Sequence, residues 1–289
     1  MRRAALAACA LFALMTGPAA AGRLRTFDLP GQSAICGAAI ADDGTVVGNS
    51  LPALGSGDAP VNFIYAQGAF TVLSLPFTTG FTAVSGVNRA GKFVGTNTVF
   101  GKNFSETITG FAVKNGVLRL VHIPGAAEVT VRGISDGDVI VGSYQTSSSA
   151  PTLGFIKRGN IVTTLNDGSG EVLPAASDSD GTRVVGTSMP AGDINSWLWQ
   201  GGKFTPIAVP GALATFARGI NRAGTVSGTY LTGSATAPVN HGFLLNGGTF
   251  SYYDVPGATG TEFSGINARG EATGCYSDSA GTHGLIYKP

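Results

Sequence analysis

A segment of 22 residues recurs along this chain, and its spacing constrains the fold more than any other sequence feature. It is clearest from Val209 to Tyr230, where it reads VPGALATFARGINRAGTVSGTY. A glycine near its end returns every 42 to 47 residues, in six copies numbered here in chain order: Gly48, Gly95, Gly142, Gly186, Gly228 and Gly274. Such a period is typical of propellers, solenoids and other arrays, in which one unit cannot bury its apolar face alone.

Glycine and proline decide between helical and extended repeats. After residue 22, no stretch free of both residues exceeds eight residues, whereas a mean α-helix needs about 11. Helical repeats are therefore excluded. Each unit is instead predicted to contain four strands rich in β-branched and aromatic residues. In copy five these strands cover residues 215–220, 225–230, 241–245 and 249–255.

Six units of four short antiparallel strands predict an all-β fold, a β-propeller of six four-stranded blades. Arg23–Leu29 matches the fourth strand of a unit, and Gly284–Tyr287 matches the third. The N-terminal strand is therefore expected to complete the last blade. Copy four lacks the proline of the other copies and carries Asn166-Asp167-Gly168 instead, so five or seven blades remain open alternatives.

Residues 1–21 are predicted to be a signal peptide that precedes a single domain of residues 22–289. Arg2 and Arg3 form a basic start, Ala4–Met15 is apolar, and Ala19–Ala21 supplies small residues for cleavage near Ala21. The apolar run is too short to span a bilayer. We therefore expect a secreted protein, extracellular or periplasmic, with no membrane span.

The charge balance limits the partners. Apart from Arg2 and Arg3, the chain has 16 of its 18 Lys and Arg residues against 17 Asp and Glu, with no basic cluster. Nucleic acids require clustered cations, so they are not expected as partners. No cofactor motif is present, and a monomer is predicted. The expected partner is an unknown extracellular ligand, either a glycan or a protein.

Two cysteines follow the predicted signal peptide, Cys36 in copy one and Cys275 in copy six. An even count in an exported protein suggests a disulfide, and ring closure would make these two copies neighbours. The alternative is that both are small buried residues.

The units resemble the HAF-repeat family of bacterial extracellular proteins, whose pattern is approximately VPGAxxTxxxGINxxGxxVGxYxxxxGxxHGFLYxxGxF. Copies five and six match it best, with Val-Pro-Gly-Ala at 209–212 and 255–258 and Gly-Ile-Asn at 219–221 and 265–267. The first four copies depart from it at the His position, which they fill with Val61, Thr109, Leu153 and Asn195. The resemblance implies a secreted propeller and no established activity.

Polar residues that recur with the repeat are expected to serve the fold. His241 and His283 occupy equivalent positions, and no third His or Cys lies at a metal-ligand spacing beside them. The Asp178–Gly181 stretch resembles the start of a calcium loop but lacks the closing acid, so a turn is predicted there. No metal site is expected.

The links between second and third strands vary most between copies, and binding residues usually lie on such loops. We predict the links to cover residues 51–61, 100–109, 145–153, 189–195, 231–240 and 277–282. Their candidate binding residues are Asp58, Lys102, Phe104, Glu106, Asp193 and Asp278.

No catalytic constellation is evident in the sequence. The leading hypothesis is a non-enzymatic propeller with a binding or scaffold role. The alternative is a hydrolase or lyase acting on an extracellular polysaccharide or peptide, with a central acid such as Asp138 or Glu171. A central pocket lined only by small residues would exclude that alternative. A structural role in a cell-surface layer is a third hypothesis.

Overall fold

The computed structural model describes residues 22–52, 60–77, 80–101, 106–190 and 193–289. The predicted signal peptide lies outside these residues. The described part of the chain is all-β, with 24 strands and no α-helix. No helix within it has the length and apolar character needed to cross a bilayer.

The strands fall into groups of four that follow the sequence copies. Copies one to three form β2 (Gln32–Ile40), β3 (Val46–Pro52), β4 (Val61–Ala66), β5 (Ala69–Val72), β6 (Phe81–Val87), β7 (Phe93–Phe100), β8 (Glu106–Lys114), β9 (Val117–Leu120), β10 (Glu128–Ile134), β11 (Val139–Gln145), β12 (Leu153–Arg158) and β13 (Ile161–Leu165). Copies four to six form β14 (Val172–Ser177), β15 (Arg183–Ser188), β16 (Asn195–Gln200), β17 (Lys203–Ile207), β18 (Ala214–Ile220), β19 (Val226–Ser234), β20 (Ala237–Asn246), β21 (Thr249–Tyr253), β22 (Gly260–Ile266), β23 (Ala272–Ser277) and β24 (Thr282–Lys288). The remaining strand is β1 (Arg23–Phe27).

Within each group the strands pair antiparallel in sequence order, as a meander. Copies two to five form four separate four-stranded sheets. Copy six supplies only three strands, and β1 pairs antiparallel with β24 along Arg23–Phe27. One parallel bridge, Ala34 to Thr282, joins copies six and one into an eight-stranded sheet.

The first strand of each copy contacts the first strand of the next copy, from β2 through β6, β10, β14 and β18 to β22. The strand β22 also contacts β2. Each group packs its apolar face on its neighbours, and the core is divided into clusters along these contacts. The first strands therefore lie together at the centre of the molecule.

The recurring glycine of the second strand makes room for the large side chain of the third strand. Gly228 pairs with Phe243, and a Cβ at Gly228 would collide with the Phe243 ring. The same pairing occurs in every copy, and the large residues are fully or almost fully buried: Phe63, Phe111, Phe155, Trp197, Phe243 and Leu285. The sequence repeat is thus a core-packing repeat.

The asparagine of the Gly-Ile-Asn segment links neighbouring copies. The Asn221 Oδ1 accepts a hydrogen bond from the Thr225 backbone within its own turn, and its Nδ2 donates to the Asn267 carbonyl in the next copy, at 3.0 Å. Asn267 in turn donates to the Ala41 carbonyl at 3.1 Å. One side chain therefore stabilises a turn and a contact between copies.

The link predicted at residues 231–240 is wrong in its extent. β19 and β20 continue through this range, with Leu231 opposite Asn240 and Ser234 opposite Ala237. Thr232 and Val239 suit extended structure, and backbone pairing extends the hairpin until only residues 235 and 236 form the turn.

Cys36 on β2 and Cys275 on β23 form a disulfide that joins the first and last copies across 239 residues of sequence. It lies beside the pairing of β1 with β24, so two independent contacts join the first and last copies in the same region.

Candidate functional site

A β-bulge occurs in the first strand of every copy and directs one side chain toward the centre. The pairing with the second strand skips one residue at this place, for example between Ala217 and Gly219. Such a bulge re-aims the extra residue. The six skipped residues all line one central cavity: Ala38, Ser85, Arg132, Ala175, Arg218 and Ser264.

The central cavity has a volume of about 900 Å³ and is lined by the first strands of all six copies. Its lining extends into the turns between first and second strands, including Asp42, Arg89 and Arg222. Because the second strand runs back antiparallel, the links between second and third strands lie at the opposite end of the molecule. The cavity lining therefore reaches the turn face, and it includes no described residue of the links.

Arg132 and Arg218 place two positive charges in this cavity. Neither side chain forms a hydrogen bond or an ion pair with any residue that the structure describes, although the Arg218 guanidinium stacks over the Phe216 ring at 4.9 Å. Solvent reaches both groups through the cavity. The surrounding strands nevertheless desolvate them and lower the pKa of both, and the charge of Arg218 further lowers the pKa of Arg132.

Each arginine has one acid within electrostatic range. Glu171 offsets part of the pKa decrease of Arg132, and Glu262 does the same for Arg218. Glu262 lines the cavity and accepts a hydrogen bond from Asn240 Nδ2 at 2.5 Å. These carboxylates balance charge without contacting the guanidinium groups, so the donors of both arginines remain available.

Two acids from different copies meet at the turn face of the cavity. Asp42 accepts a hydrogen bond from the Ala268 backbone at 2.8 Å, and Asp136 accepts one from the Arg89 backbone at 2.8 Å. Burial raises the pKa of Asp136, and the charge and hydrogen bond of Asp42 raise it further against the opposing backbone bond. The two carboxyls therefore lie within electrostatic range of each other.

The acids of the suspected calcium loop are engaged within their own turn. Asp178 is 3% exposed and forms an ion pair with Arg183 at 2.8 Å. Asp180 accepts hydrogen bonds from the side chain and the backbone of Thr182. Among the described residues, no group of three His, Cys, Asp or Glu side chains is arranged to hold a metal ion.

Three of the six candidate residues of the link face lie in the part of the chain that the structure describes, and these three do not contact one another. Asp58, Lys102 and Phe104 lie outside the described residues. Glu106 begins β8, and Asp193 is exposed between β15 and β16. Asp278 lies between β23 and β24, where it accepts hydrogen bonds from the Ala280 backbone and contacts His283. No hydrogen bond or ion pair joins any two of the three described candidates.

The acids proposed for the hydrolase alternative are misplaced. Asp138 lies in a turn with a largely exposed side chain and forms an ion pair with Lys92 at 2.8 Å. Glu171 precedes β14, at the end of that strand opposite the turn face, and does not line the cavity. The cavity nevertheless contains acids and arginines, so its lining is not limited to small residues.

The repeated histidines hold the end of a fourth strand. His241 Nδ1 lies 2.8 Å from Asp254 Oδ1, and its ring stacks on Tyr230. His283 makes the equivalent contact with Asp28 at 2.7 Å and stacks on Tyr276. Both rings therefore serve the fold.

The sequence analysis missed Arg132 and Arg218, although a signal was present. One position of the first strand, the one that the bulge skips, differs between the aligned copies. It is Arg in copies three and five, and Ala or Ser in the other four copies. A charged residue at a repeat position that small residues occupy in the other copies does not follow the packing repeat. The sequence did not show which face of the strand meets the cavity.

Comparison with known proteins supports the fold. No protein-family model matches the chain, and no relative is found among curated protein sequences. A solved gluconolactonase from Xanthomonas campestris is 14% identical, with 93% of this chain and 90% of that chain covered and a TM-score of 0.55. The β-propeller domain of the Trilobed protease from Pyrococcus furiosus is 8% identical over 90% of this chain and 94% of that chain, with a TM-score of 0.53. At these identities the similarity shows the fold alone, which is a β-propeller.

Proposed function

We propose that the chain is an exported, closed six-bladed β-propeller that binds a ligand in its central cavity without chemical turnover. Two facts support six blades and closure. The first strands contact one another in sequence order and β22 returns to β2, and β1 supplies the fourth strand beside β24. The disulfide supports export, because such bonds persist in oxidising compartments. Membership of the HAF-repeat family is part of the same proposal.

The observation that carries the binding function is the central cavity itself. Small side chains occupy the inward position in four copies and keep the cavity open, while Arg132 and Arg218 supply guanidinium groups that have no hydrogen bond or ion pair with a described residue. A concave site with a few converging polar groups is the usual form of a small-molecule site. The link face offers no comparable convergence among the described residues.

A cavity-blocking variant tests this function. Ala175→Phe places a large side chain at a position where two other copies carry arginine, so the fold is expected to tolerate it. We expect a ligand found by thermal-shift screening of glycans and peptides to stabilise the wild-type protein by mass action and to leave Ala175→Phe unaffected. The matched control, Asp193→Asn on the link face, should respond like the wild type. Equal stabilisation of Ala175→Phe would place the site elsewhere.

A hydrolase is the second candidate, and the Asp42–Asp136 pair is the observation that favours it. A carboxyl whose pKa is raised, as that of Asp136 is, can act as a general acid beside a second carboxyl. If the protein is a hydrolase, a ligand from the screen is converted, and Asp136→Asn abolishes conversion while binding persists. An unchanged ligand after prolonged incubation with the wild-type protein, analysed by mass spectrometry, would support binding alone.

A further inference from the structure

Arg132 and Arg218 place positive charge in the central cavity, and the fold does not need an arginine at their inward position. Copies one, two, four and six have Ala or Ser at the same inward position, so the strand and its bulge form without a long side chain. Although solvent reaches both side chains, desolvation by the surrounding strands and the charge of Arg218 both disfavour the charged form of Arg132. Arg132 and Arg218 are therefore better explained by a ligand than by packing.

The position of the pair suits a bridging ligand. Copies three and five flank copy four, whose inward residue is only Ala175, and all three residues line the same cavity. Phe216 supports the Arg218 guanidinium on one face and leaves its N–H edge free. Guanidinium groups with free N–H edges recognise the paired oxygens of carboxylates and phosphates.

The acids of the cavity do not fill this role. Asp178 is paired with Arg183, and Asp42 and Asp136 accept backbone hydrogen bonds in the turns. Glu262 is bonded to Asn240 and influences Arg218 only at a distance. The donors of both inward arginines are thus left for a group that enters from solvent.

We propose that Arg132 and Arg218 form an oxyanion clamp that holds a carboxylate or phosphate group of the ligand above Ala175. This inference rests on the proposed function, because it names the chemical class that the central cavity accepts. An anion between the two cations would remove their repulsion and satisfy their donors in one step. Recognition through both arginines would select anionic ligands over neutral ones of the same shape.

Calorimetric titration with inorganic phosphate and with succinate, at low and matched ionic strength, tests the clamp. We expect the wild-type protein to bind at least one of them, and the tighter one identifies the group. Arg132→Gln and Arg218→Gln should each weaken binding about tenfold or more, as loss of a charge-assisted hydrogen bond does, and the double variant should not bind. Arg132→Lys should bind with intermediate affinity. Arg119→Gln, which removes an exposed arginine from β9, should bind within about twofold of the wild type.

The unliganded variants separate a binding role from a structural one. Removing one of two repelling charges should leave the Tm of anion-free Arg132→Gln equal to or above that of the wild type. A lower Tm would show that Arg132 supports the fold and would overturn the assignment. Absence of binding to both anions, or equal binding to the double variant, would also overturn it. If a neutral ligand instead binds the wild type and the double variant but not Ala175→Phe, the cavity function stands and the clamp is wrong.

Discussion

At the residue scale, one asparagine explains why Gly-Ile-Asn recurs. Asn221 is 6% exposed. Its amide oxygen accepts a hydrogen bond within its own turn, and its amide nitrogen donates one to the next copy. A buried polar group without a partner costs about 1 to 3 kcal/mol. The asparagine therefore belongs to the packing repeat, whereas the arginines of the cavity do not.

Replacing Asn221 with Ala should lower the free energy of unfolding by about 1 to 3 kcal/mol, because the Asn267 carbonyl and the Thr225 N–H lose their partner. Urea unfolding of the purified protein measures this change. Asn195→Ala, at an exposed position at the start of β16, is the matched control and should change stability by less than about 0.5 kcal/mol. Equal effects of the two substitutions would refute the linking role of Asn221.

His283 on β24, which contacts Asp28 directly after β1, is expected to make stability depend on pH. Burial alone would lower the pKa of His283, but the hydrogen bonds and charges of Asp28 and Asp278 outweigh it and raise the pKa above its usual value. The protonated ring is therefore favoured in the folded state. Its contribution is fully present below about pH 6.5 and is lost as the pH rises through the raised pKa.

The difference in Tm between the wild type and His283→Gln should accordingly be largest near pH 5.5 to 6 and shrink toward pH 9. The corresponding change in the free energy of unfolding should be about 1 kcal/mol or less, because Asp28 is largely exposed and solvent screens the pair. His122→Gln, at an exposed site, is the matched control for replacing a histidine and should change the Tm little. A His283→Gln difference that is flat or grows with pH would contradict this assignment.

At the element scale, β1 packs against two copies at once. It pairs with β24 of copy six, while Phe27 at its end is buried against Phe63 and Tyr65 of copy one, with ring centroids 6.1 and 4.5 Å away. An edge strand with one partner would be marginal, but this strand also contributes to a neighbouring core. The strand therefore fastens the first copy to the last.

Phe27→Ala should cost about 3 to 5 kcal/mol, the range for removing a buried phenylalanine, although it lies only five residues from the start of the described chain. Chemical denaturation measures the loss. Phe100→Ala, which truncates a phenylalanine that is 64% exposed at the end of β7, should change stability little. If Phe27→Ala were as mild as Phe100→Ala, β1 would not be part of the core.

Strands were predictable from the sequence to the extent that turns punctuate them. Gly and Pro located the strands of copy five to within about two residues at most ends, but not the hairpin from Thr232 to Val239, because Gly233 and Pro238 lie opposite each other within paired strands there. The cavity was not predictable by the same route. Alternation shows that Arg218 and Ala217 face opposite sides, yet only contacts between copies show that the Arg218 side meets a cavity.

At the scale of the whole molecule, the first and last copies meet in one region. The disulfide, the β1–β24 pair and the Asn267–Ala41 hydrogen bond all join copies one and six. Repeat units of this kind depend on their neighbours to bury their apolar faces. Separation of copy one from copy six would therefore expose an apolar face of each.

Reduction of the disulfide should therefore lower the free energy of unfolding by about 2 to 4 kcal/mol, because the bond closes a very long loop in the unfolded chain. Comparing urea midpoints with and without reductant measures this effect. The Cys36→Ser, Cys275→Ser double variant should be less stable than the oxidised protein and should not respond to reductant. If the urea midpoint of the oxidised wild-type protein were the same with and without reductant, the disulfide would not stabilise the fold.

The side-chain NMR spectrum of the arginines tests the central claim most directly. With phosphate or succinate as titrant, the Nε–Hε signals of Arg132 and Arg218 should shift together with one shared dissociation constant, while the signal of Arg119 stays in place. That result would locate ligand binding in the central cavity and assign it to the clamp. Signals of Arg132 and Arg218 that do not move, or that shift no more than that of Arg119, would contradict the account.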